Sequence, residues 1–321
     1  MLLHAKISVP GSDRPLLPRP RLLAAMDADS RLLFVTGPAG SGKTSLALNY
    51  VQTLQQPVAW YSLDASDADP ATFLRYVIAS LATIAAPLEQ KLSGLLDDPR
   101  QGNAIASAFA EAVNTLLPPA TLVLDDLHSV EHNGQLDPTI AAVLNALLRY
   151  CPRLQIVIAS RQMLNLDGII TLLARGEARG LSGQMLAFTD DEIAQIFAQT
   201  GDLAAPEERQ RLSENCAGWA TAVALALTTR TSRVVPPTDD RAMLYAYLAN
   251  QVLEQLPVEL SEFLIDTPVL DYLSSQRCDQ LRQRTDSAEY LAELVRRNVF
   301  LAQAGTATFR YHPLFREFLL E

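Results

Sequence analysis

The sequence predicts an α/β fold, a parallel sheet with helices on both faces, followed by a small helical domain and a winged helix. Two observations favour the sheet: short strand-like runs alternate with segments of helical spacing over the first half of the chain, and these runs are nearly all apolar. Strands buried on both faces have this composition. The third observation is that the alternation stops after about residue 187, where helical segments follow one another before a final pair of strands, which predicts the smaller domains.

The strands and helices of the first half are predicted in regular order. Asp69 and Pro70 are typical of the N-cap and the first residue of a helix, so one helix begins there. The proline- and arginine-rich stretch before the first strand is expected to be extended, because proline fixes φ and lacks an N–H donor. The strands are predicted over residues 31–36, 57–63, 121–126 and 154–160, and the helices over residues 70–86, 105–117 and 138–150.

The second half begins with a capping box, in which Thr189 is followed three residues later by Glu192. Residues 230–240, RTSRVVPPTDD, have the composition of a linker. Helices are predicted from there to about residue 298, and then two strands around a turn at Gly305, a pattern typical of a winged helix. The predicted division is an extended N-terminal segment at 1–30, a sheet domain at 31–187, a helical domain with linker at 188–235, and a winged-helix domain at 236–321.

The composition of the 321-residue chain fits packed cores, with 49% hydrophobic and 19% charged residues. The net charge of −10 argues against nucleic-acid binding, which needs a basic surface. The three cysteines, Cys151, Cys216 and Cys278, are far apart, so we expect free core thiols in a reducing compartment. The start does not resemble a signal peptide and no apolar stretch approaches ~18 residues, so the sequence predicts a cytoplasmic protein.

A glycine-rich stretch, GPAGSGKT, lies between the first strand and the next helix and matches G-x-x-x-x-G-K-[ST] at every position. Its glycines let backbone N–H groups face phosphates, and the helix N-terminus adds partial positive charge. Lys43 is expected to reach the β- and γ-phosphates, and Thr44 to hold Mg²⁺. The fold class is therefore an α/β P-loop NTPase that binds ATP or ADP with Mg²⁺. The predicted nucleotide-binding residues are Gly37, Pro38, Ala39, Gly40, Ser41, Gly42, Lys43, Thr44 and Ser45.

Acidic and basic residues end two of the later strands. In LVLDD, Asp125 is placed to join the Mg²⁺ shell and Asp126 to polarise an attacking water as a general base. An acidic pair after a strand can also form a turn or cap a helix, and the P-loop favours the catalytic interpretation. Arg161 ends the fourth strand, where it either contacts the γ-phosphate or is a solvated surface arginine. The predicted catalytic residues are Asp126, Arg161 and Lys43.

Two short motifs point to other chemistry but lack its context. Residues 128–132, HSVEH, match an inverted zinc-protease pattern, which needs both histidines on one helix face. The segment instead follows a strand and meets the turn signal Asn133-Gly134, so His128 is expected to pack beside the Mg²⁺ site. Residues 181–184, LSGQ, match the ABC transporter signature but follow the acidic strand instead of preceding it.

Several further motifs accompany the P-loop in order over nearly the whole chain. They are LPRPRLL, AWYSLDASDADPATFLRYV, LVLDDLH, IVIASR, RGEARGLSGQMLAFTDDEI, GWATAVAL, RRNVFLAQAG and YHPLF. Together they resemble the nucleotide-binding module of STAND ATPases, signal transduction ATPases with numerous domains, in the branch typified by MalT and the large LuxR-type regulators. Gly218 is followed by Trp219 and Ala220, whereas many relatives have a proline two residues after this glycine, so no adenine contact is assigned here.

The resemblance implies a switch that is closed and inactive with ADP. An inducer on a C-terminal sensor, usually a helical-repeat superhelix, permits exchange for ATP, and the opened form then assembles with itself. His312 matches a winged-helix histidine that reaches the β-phosphate of ADP in related proteins; packing or helix capping is the alternative. Glu289 and Glu293 on the last winged-helix helix would repel phosphate, so we expect this domain to be an intramolecular latch that does not bind DNA.

The sequence thus predicts a slow ATPase that acts as a regulatory switch. The alternatives are a turnover ATPase serving a motor or transporter, and a nucleotide-dependent scaffold that has lost hydrolysis. The intact Lys43, Thr44, Asp125 and Asp126 argue against the scaffold. Retained ADP after purification would favour the switch, and fast turnover would favour the motor.

Overall fold

The computed structural model describes residues 2–11, 16–26, 29–94, 102–132, 134–200, 210, 213–214, 216–231 and 240–321. Two compact units are present. The first contains Met1–Thr36 and Lys43–Met185, and the second contains Gly37–Gly42 and Leu186–Glu321. The six residues Gly37–Gly42 therefore belong to the second unit, although the strand before them and the helix after them belong to the first.

The first unit is built on a five-stranded parallel sheet in the order β2-β3-β4-β1-β5. The strands are β1 (Leu32–Thr36), β2 (Val58–Ser62), β3 (Ala120–Asp125), β4 (Leu154–Ser160) and β5 (Ala178–Leu181). Every residue of β3 and β4 is buried, which confirms the sheet predicted from apolar strands. The strand β5 was not predicted, because it has four residues of which the central Arg179 and Gly180 are exposed.

Helices cover this sheet in the alternating order that the sequence predicts. They are α1 (Pro20–Ala25), α2 (Lys43–Val51), α3 (Pro70–Ala82), α4 (Pro87–Leu92), α5 (Gly102–Leu116), α6 (Pro138–Tyr150) and α7 (Asp167–Ala174), and α8 (Gly183–Leu186) leads into the second unit. The Asp69 carboxylate accepts a hydrogen bond from the Thr72 N–H at 2.9 Å, which confirms the predicted cap of α3. The helix predicted over 70–86 ends at Ala82, and a separate helix begins at Pro87, where proline is tolerated in the first turn.

The sequence predicted an extended N-terminal segment, but parts of this segment are helical. A 3₁₀ helix spans His4–Ile7, and α1 begins at Pro20, where proline is tolerated in the first turn. The Lys6 ammonium lies 2.8 Å from both carboxylate oxygens of Asp67 and 2.8 Å from Asp64. Asp67 is fully buried and the Lys6 side chain is only 11% exposed. This ion cluster ties the N-terminal segment to the chain that leaves β2.

The second unit contains the helical region and the winged helix. Its helices are α9 (Asp190–Thr200), α10 (Ala220–Thr231), α11 (Asp240–Gln251), α12 (Val258–Asp266), α13 (Ser275–Arg282), α14 (Ser287–Arg296) and α15 (Pro313–Leu320). The strands β6 (Leu301–Gly305) and β7 (Thr308–Tyr311) form an antiparallel hairpin. Most of the predicted linker at 230–240 lies outside the described residues.

The capping box at the start of α9 is present, since the Thr189 N–H donates to the Glu192 carboxylate at 3.0 Å and the Glu192 N–H donates to the Thr189 hydroxyl at 3.2 Å. Three helices and the β6–β7 hairpin then form the predicted winged helix, and α15 follows the hairpin. Phe263, Phe315 and Trp219 belong to a single apolar core of this unit.

Cys151, Cys216 and Cys278 are free and buried, as predicted. Burial raises the pKa of each thiol to about 11. Among the helices in the described parts of the chain, none is both long enough and apolar enough to span a lipid bilayer.

Candidate functional site

The order of the strands brings the predicted catalytic residues of the first unit to one edge of the sheet. Because β4 lies between β3 and β1, Arg161 after β4 lies between the end of β3 and the start of α2. Ligands of open parallel sheets bind at this carboxyl edge. Thr44 and Asp125 meet there, since the Thr44 hydroxyl donates to the Asp125 carboxylate at 3.1 Å.

Lys43 and Asp125 are both buried at this edge, and their charges depend on their neighbours. Burial lowers the pKa of Lys43 to about 8, while the negative charges of Asp126 and Asp125 oppose the shift and Arg161 adds to it. Burial also raises the pKa of Asp125 to about 7, and the charge of Asp126 adds to this rise. A bound phosphate would favour the charged form of Lys43, and a bound metal dication would favour the charged form of Asp125. Mg²⁺ and a nucleotide would therefore supply the charges that stabilise both ionised side chains.

The donor set fits a hard cation. A hydroxyl and a buried carboxylate, from Thr44 and Asp125, are oxygen ligands of the kind that Mg²⁺ takes together with waters and substrate phosphates. Asp125 is only 4% exposed, so an ionised form needs a compensating positive charge. The two residues predicted to hold the metal are therefore adjacent in the structure.

Asp126 has an unusual backbone conformation. Its φ of 58° lies in the left-handed region, which is uncommon for residues other than glycine. It occupies the N-cap position of the 3₁₀ helix Leu127–Val130, but its side chain makes no capping hydrogen bond. The side chain is 48% exposed, so it can reach water while Asp125 beside it stays buried. The missing hydrogen bond disfavours the helix cap that the sequence left open, whereas the left-handed backbone fits the turn that it also left open.

His128 lies beside Asp126, as the sequence led us to expect, and it was not among the predicted catalytic residues. Its Nδ1 atom is 3.8 Å from an Asp126 carboxylate oxygen, which is too long for a hydrogen bond. Burial, together with the charges of Arg161 and Lys43, lowers the pKa of His128 to about 3, so the ring is neutral near pH 7. Arg161 is itself partly buried and lies within electrostatic range of Lys43, unlike a freely solvated surface arginine.

The inverted zinc-protease motif does not form a zinc site. His128 is in the 3₁₀ helix, while His132 pairs with Gln135 in an isolated β-bridge, so the two rings do not share one helix face. Asn133, part of the predicted turn, lies outside the described residues. In the described ranges, no cluster of three or more histidine, cysteine, aspartate or glutamate side chains is arranged to hold a metal ion.

The crest of the P-loop, Gly37–Gly42, is held within the second unit. The Trp219 indole N–H donates to the Ala39 carbonyl at 3.1 Å. The Gly40 carbonyl accepts from both the Thr221 N–H at 3.1 Å and the Thr221 hydroxyl at 3.0 Å. Gly40 has a φ of +67°, and a Cβ there would lie 2.1 Å from the Thr221 hydroxyl, so only glycine fits at this position.

Gly218 and Trp219 belong to the GWATAVAL motif, to which no adenine contact is assigned from the sequence. Gly218 has a φ of +73°, and a Cβ there would lie 2.5 Å from the Phe188 carbonyl oxygen. The Gly218 carbonyl accepts the Phe188 N–H at 2.8 Å. The glycine is thus required by this close approach of two backbones, and the tryptophan after it contacts the P-loop.

His312 lies between β7 and α15 and packs against the same tryptophan. Its ring centroid is 6.3 Å from that of Trp219 and 5.9 Å from that of Phe300, both edge-on. Burial lowers the pKa of His312 to about 4, although a hydrogen bond to the Ala217 backbone opposes this shift. Its Nδ1 atom is buried and has no hydrogen-bond partner among the described residues. Packing is therefore visible here, and the predicted β-phosphate contact stays a prediction.

Comparison with known proteins gives two family matches along the chain. Residues 19–159 match the AAA ATPase domain, and residues 249–321 match the MalT winged helix domain. The Walker-type ATPase PABY2304 of Pyrococcus abyssi superposes with a TM-score of 0.65 over 97% of this chain and 99% of that one. At 11% identity, this likeness shows the fold alone. Fold and site together define a P-loop ATPase with a winged helix.

Similarity to characterised regulators narrows the class of protein further. The chain is 31% identical to the HTH-type transcriptional regulator MalT of Cronobacter sakazakii and 32% identical to that of Serratia proteamaculans, over 99% of this chain in each case. This similarity over nearly the whole chain confirms the resemblance to the MalT branch of the STAND family that the sequence motifs indicated. It spans 36% of the length of each of these relatives.

Proposed function

We propose that this chain is an ATP/ADP-binding regulatory module of a multidomain transcription or signalling regulator. In this proposal it is closed with ADP, opens or self-assembles with ATP, and hydrolyses ATP slowly to return to the closed form. The observation that carries the proposal is the complete P-loop, whose Lys43 and Thr44 meet Asp125 while its crest is bonded to Trp219 and Thr221. A loop held in this way connects the phosphates to the unit that contains the winged helix.

Five residues of the first unit have roles in the proposed hydrolysis. Lys43 holds the β- and γ-phosphates, and Thr44 and Asp125 hold Mg²⁺. When bound, the metal would neutralise charge on the phosphate oxygens. Asp126 orients an attacking water and accepts its proton, since its half-exposed carboxylate reaches solvent. Arg161 stabilises the charge that develops on the γ-phosphate.

His312 is the proposed sensor of ADP. Because burial lowers its pKa to about 4, the ring is neutral near pH 7, and its hydrogen bond to the Ala217 backbone engages one ring nitrogen. Contact with a β-phosphate therefore requires the ring to turn or to gain a proton, and the phosphate charge favours the proton. A contact made only in the closed form would link nucleotide identity to closure.

The remaining assignments concern the whole protein. We place the domain boundaries near residues 30, 187 and 235, and a sensor domain, usually built of helical repeats, in the rest of the protein. Binding of DNA by α14 is disfavoured, because the negative charge of Glu293 on this helix would repel phosphate. The hydrogen bond from Arg296 and the pairing with Arg297 lower the pKa of Glu293 and so favour its charged form. The proposed location is the cytoplasm.

Nucleotide binding is tested with Lys43→Ala. Wild-type protein at an ADP concentration of a hundred times Kd should gain ~2.7 kcal/mol of stability by linkage and melt at a clearly higher temperature. The variant lacks the cation that balances the β-phosphate, so its melting temperature should rise much less. Lys91→Ala, at an exposed lysine of α4, is the matched control and should respond like wild type. An equal rise in Lys43→Ala would count against the site.

A further inference from the structure

Trp219, just before α10, and Thr221, in its first turn, hold two carbonyls of the P-loop through three hydrogen bonds. Trp219 donates its indole N–H to the Ala39 carbonyl, and Thr221 donates its N–H and hydroxyl to the Gly40 carbonyl. Ala39 is 8% exposed, so its carbonyl has little water to replace a lost protein donor. The bond to Gly40 also gives the Thr221 N–H an acceptor, which the helix itself does not provide for the N–H groups of its first turn.

These bonds fix the direction of the neighbouring N–H groups. A trans peptide points its C=O and the following N–H to opposite sides. When α10 holds the carbonyls of Ala39 and Gly40, the N–H groups of Gly40 and Ser41 therefore face away from α10. The Ser41 N–H donates to the Pro38 carbonyl across the loop at 3.3 Å, a long bond that a phosphate oxygen can replace.

We propose that Trp219 is a positioning residue for the P-loop, assisted by Thr221. By holding the two carbonyls, they keep the loop N–H groups aimed at the phosphates of a nucleoside di- or triphosphate and keep carbonyl oxygens away from them. This inference rests on the proposed nucleotide site. The loop is thus pre-organised before the ligand arrives, which lowers the free-energy cost of binding.

The same indole connects the loop to the winged helix. Its ring centroid lies 5.0 Å from that of Phe300 and 6.3 Å from that of His312, on either side of the β6–β7 hairpin in the chain. A shift of the Phe300 and His312 rings would therefore move the Trp219 indole, whose N–H holds the Ala39 carbonyl. Trp219 is therefore the residue through which the position of the winged helix reaches the P-loop.

The experiment separates the N–H bond from packing. Trp219 is replaced by phenylalanine, and separately by benzothienylalanine, which keeps the fused-ring shape but has sulfur in place of the N–H. Removing the bond should weaken both ADP and a non-hydrolysable ATP analogue about two- to tenfold in each variant. Trp60 provides a matched control, since its indole donates to the Ser62 hydroxyl within β2 at 2.8 Å. The same isostere at Trp60 should leave nucleotide affinity unchanged.

A second pair of variants tests Thr221. Thr221→Val removes the hydroxyl donor but retains the backbone N–H, whereas Thr221→Ser retains both. Valine should weaken nucleotide binding and serine should restore it, while melting temperatures without nucleotide stay close to wild type. This pair keeps the proposal testable if Trp219→Phe does not fold.

The outcomes distinguish this inference from the proposed function. If wild type binds ADP and the isostere at Trp219 binds it equally well, Trp219 only packs and the inference is overturned while the nucleotide site stands. If wild type binds neither ADP nor the ATP analogue, the proposed function fails and the inference fails with it. Weakened binding by both Trp219 variants, with normal binding by the Trp60 isostere, is the result we predict.

Discussion

Asp126→Asn is expected to lower ATP hydrolysis about 100-fold or more, the usual scale for loss of a general base. Asparagine keeps the shape of the side chain but replaces one acceptor oxygen with an N–H donor group, and its amide cannot accept the proton of an attacking water. Affinity for ATP should stay near that of wild type. The negative charge of Asp126 raises the pKa of its neighbour Asp125, so its removal favours the ionised Asp125 that Mg²⁺ needs.

Two measurements complete this test. Single-turnover hydrolysis and ATP affinity are measured separately in wild type and variant, because the same change also weakens the support that Asp126 gives to the Lys43 cation. Asp125→Asn is the comparison variant and should lose Mg²⁺-dependent affinity instead of the chemical step alone. Unchanged turnover in Asp126→Asn would remove this residue from the mechanism, and fast turnover by wild type would favour a motor or transport ATPase over a switch.

Lys6→Met is expected to destabilise the first unit by about 3–5 kcal/mol, the usual cost of removing one partner of a buried ion pair. Asp67 is fully buried, and Lys6 is 2.8 Å from both of its oxygens. Methionine preserves most of the apolar volume but leaves the carboxylate without its ammonium. The effect should appear in the fluorescence of Trp60 in β2 during unfolding by urea, in a Trp219→Phe background so that only Trp60 emits.

The control for Lys6→Met is Lys91→Met, at an exposed lysine for which we expect a change within about 0.5 kcal/mol. Asp67→Asn combined with Lys6→Met removes both charges and should recover much of the loss, since no carboxylate is then left buried and unpaired. A loss below about 1 kcal/mol for Lys6→Met would place the pair in the range of surface ion pairs and contradict its structural role.

Elements with strong local signals were predicted closely from the sequence. The strand β4 and the helix α6 have the predicted bounds, because the first is an uninterrupted apolar run and the second begins with an Asp-Pro cap. The acidic pair drew attention to the right edge of the sheet, since Asp125 accepts a hydrogen bond from Thr44 there, but its role in holding Mg²⁺ stays a prediction. The short strand β5 was missed because Arg179 and Gly180 give it no apolar pattern, and it forms only through pairing with β1.

Other features depend on contacts between distant parts of the chain. No local pattern predicts that Lys6 pairs with Asp67, or that the Trp219 indole meets the Ala39 carbonyl. The motif GWATAVAL drew attention to Gly218 and Trp219, but only the structure shows that the Trp219 indole donates to the Ala39 carbonyl. The neutral state of His128 likewise follows from burial, which the motif LVLDDLH does not reveal.

In the proposed switch, the protein distinguishes ADP from ATP through the winged helix. We would test this by measuring dissociation constants and dissociation rates for ADP and for a non-hydrolysable ATP analogue, in wild type and in His312→Ala. A hydrogen bond to a charged group, made only in the closed ADP form, predicts that the variant binds ADP about ten- to a hundredfold more weakly and releases it faster, with a much smaller effect on the ATP analogue. His4→Ala, at an exposed histidine, should match wild type. Equal weakening of both nucleotides, or of neither, would make His312 a packing residue and contradict the switch.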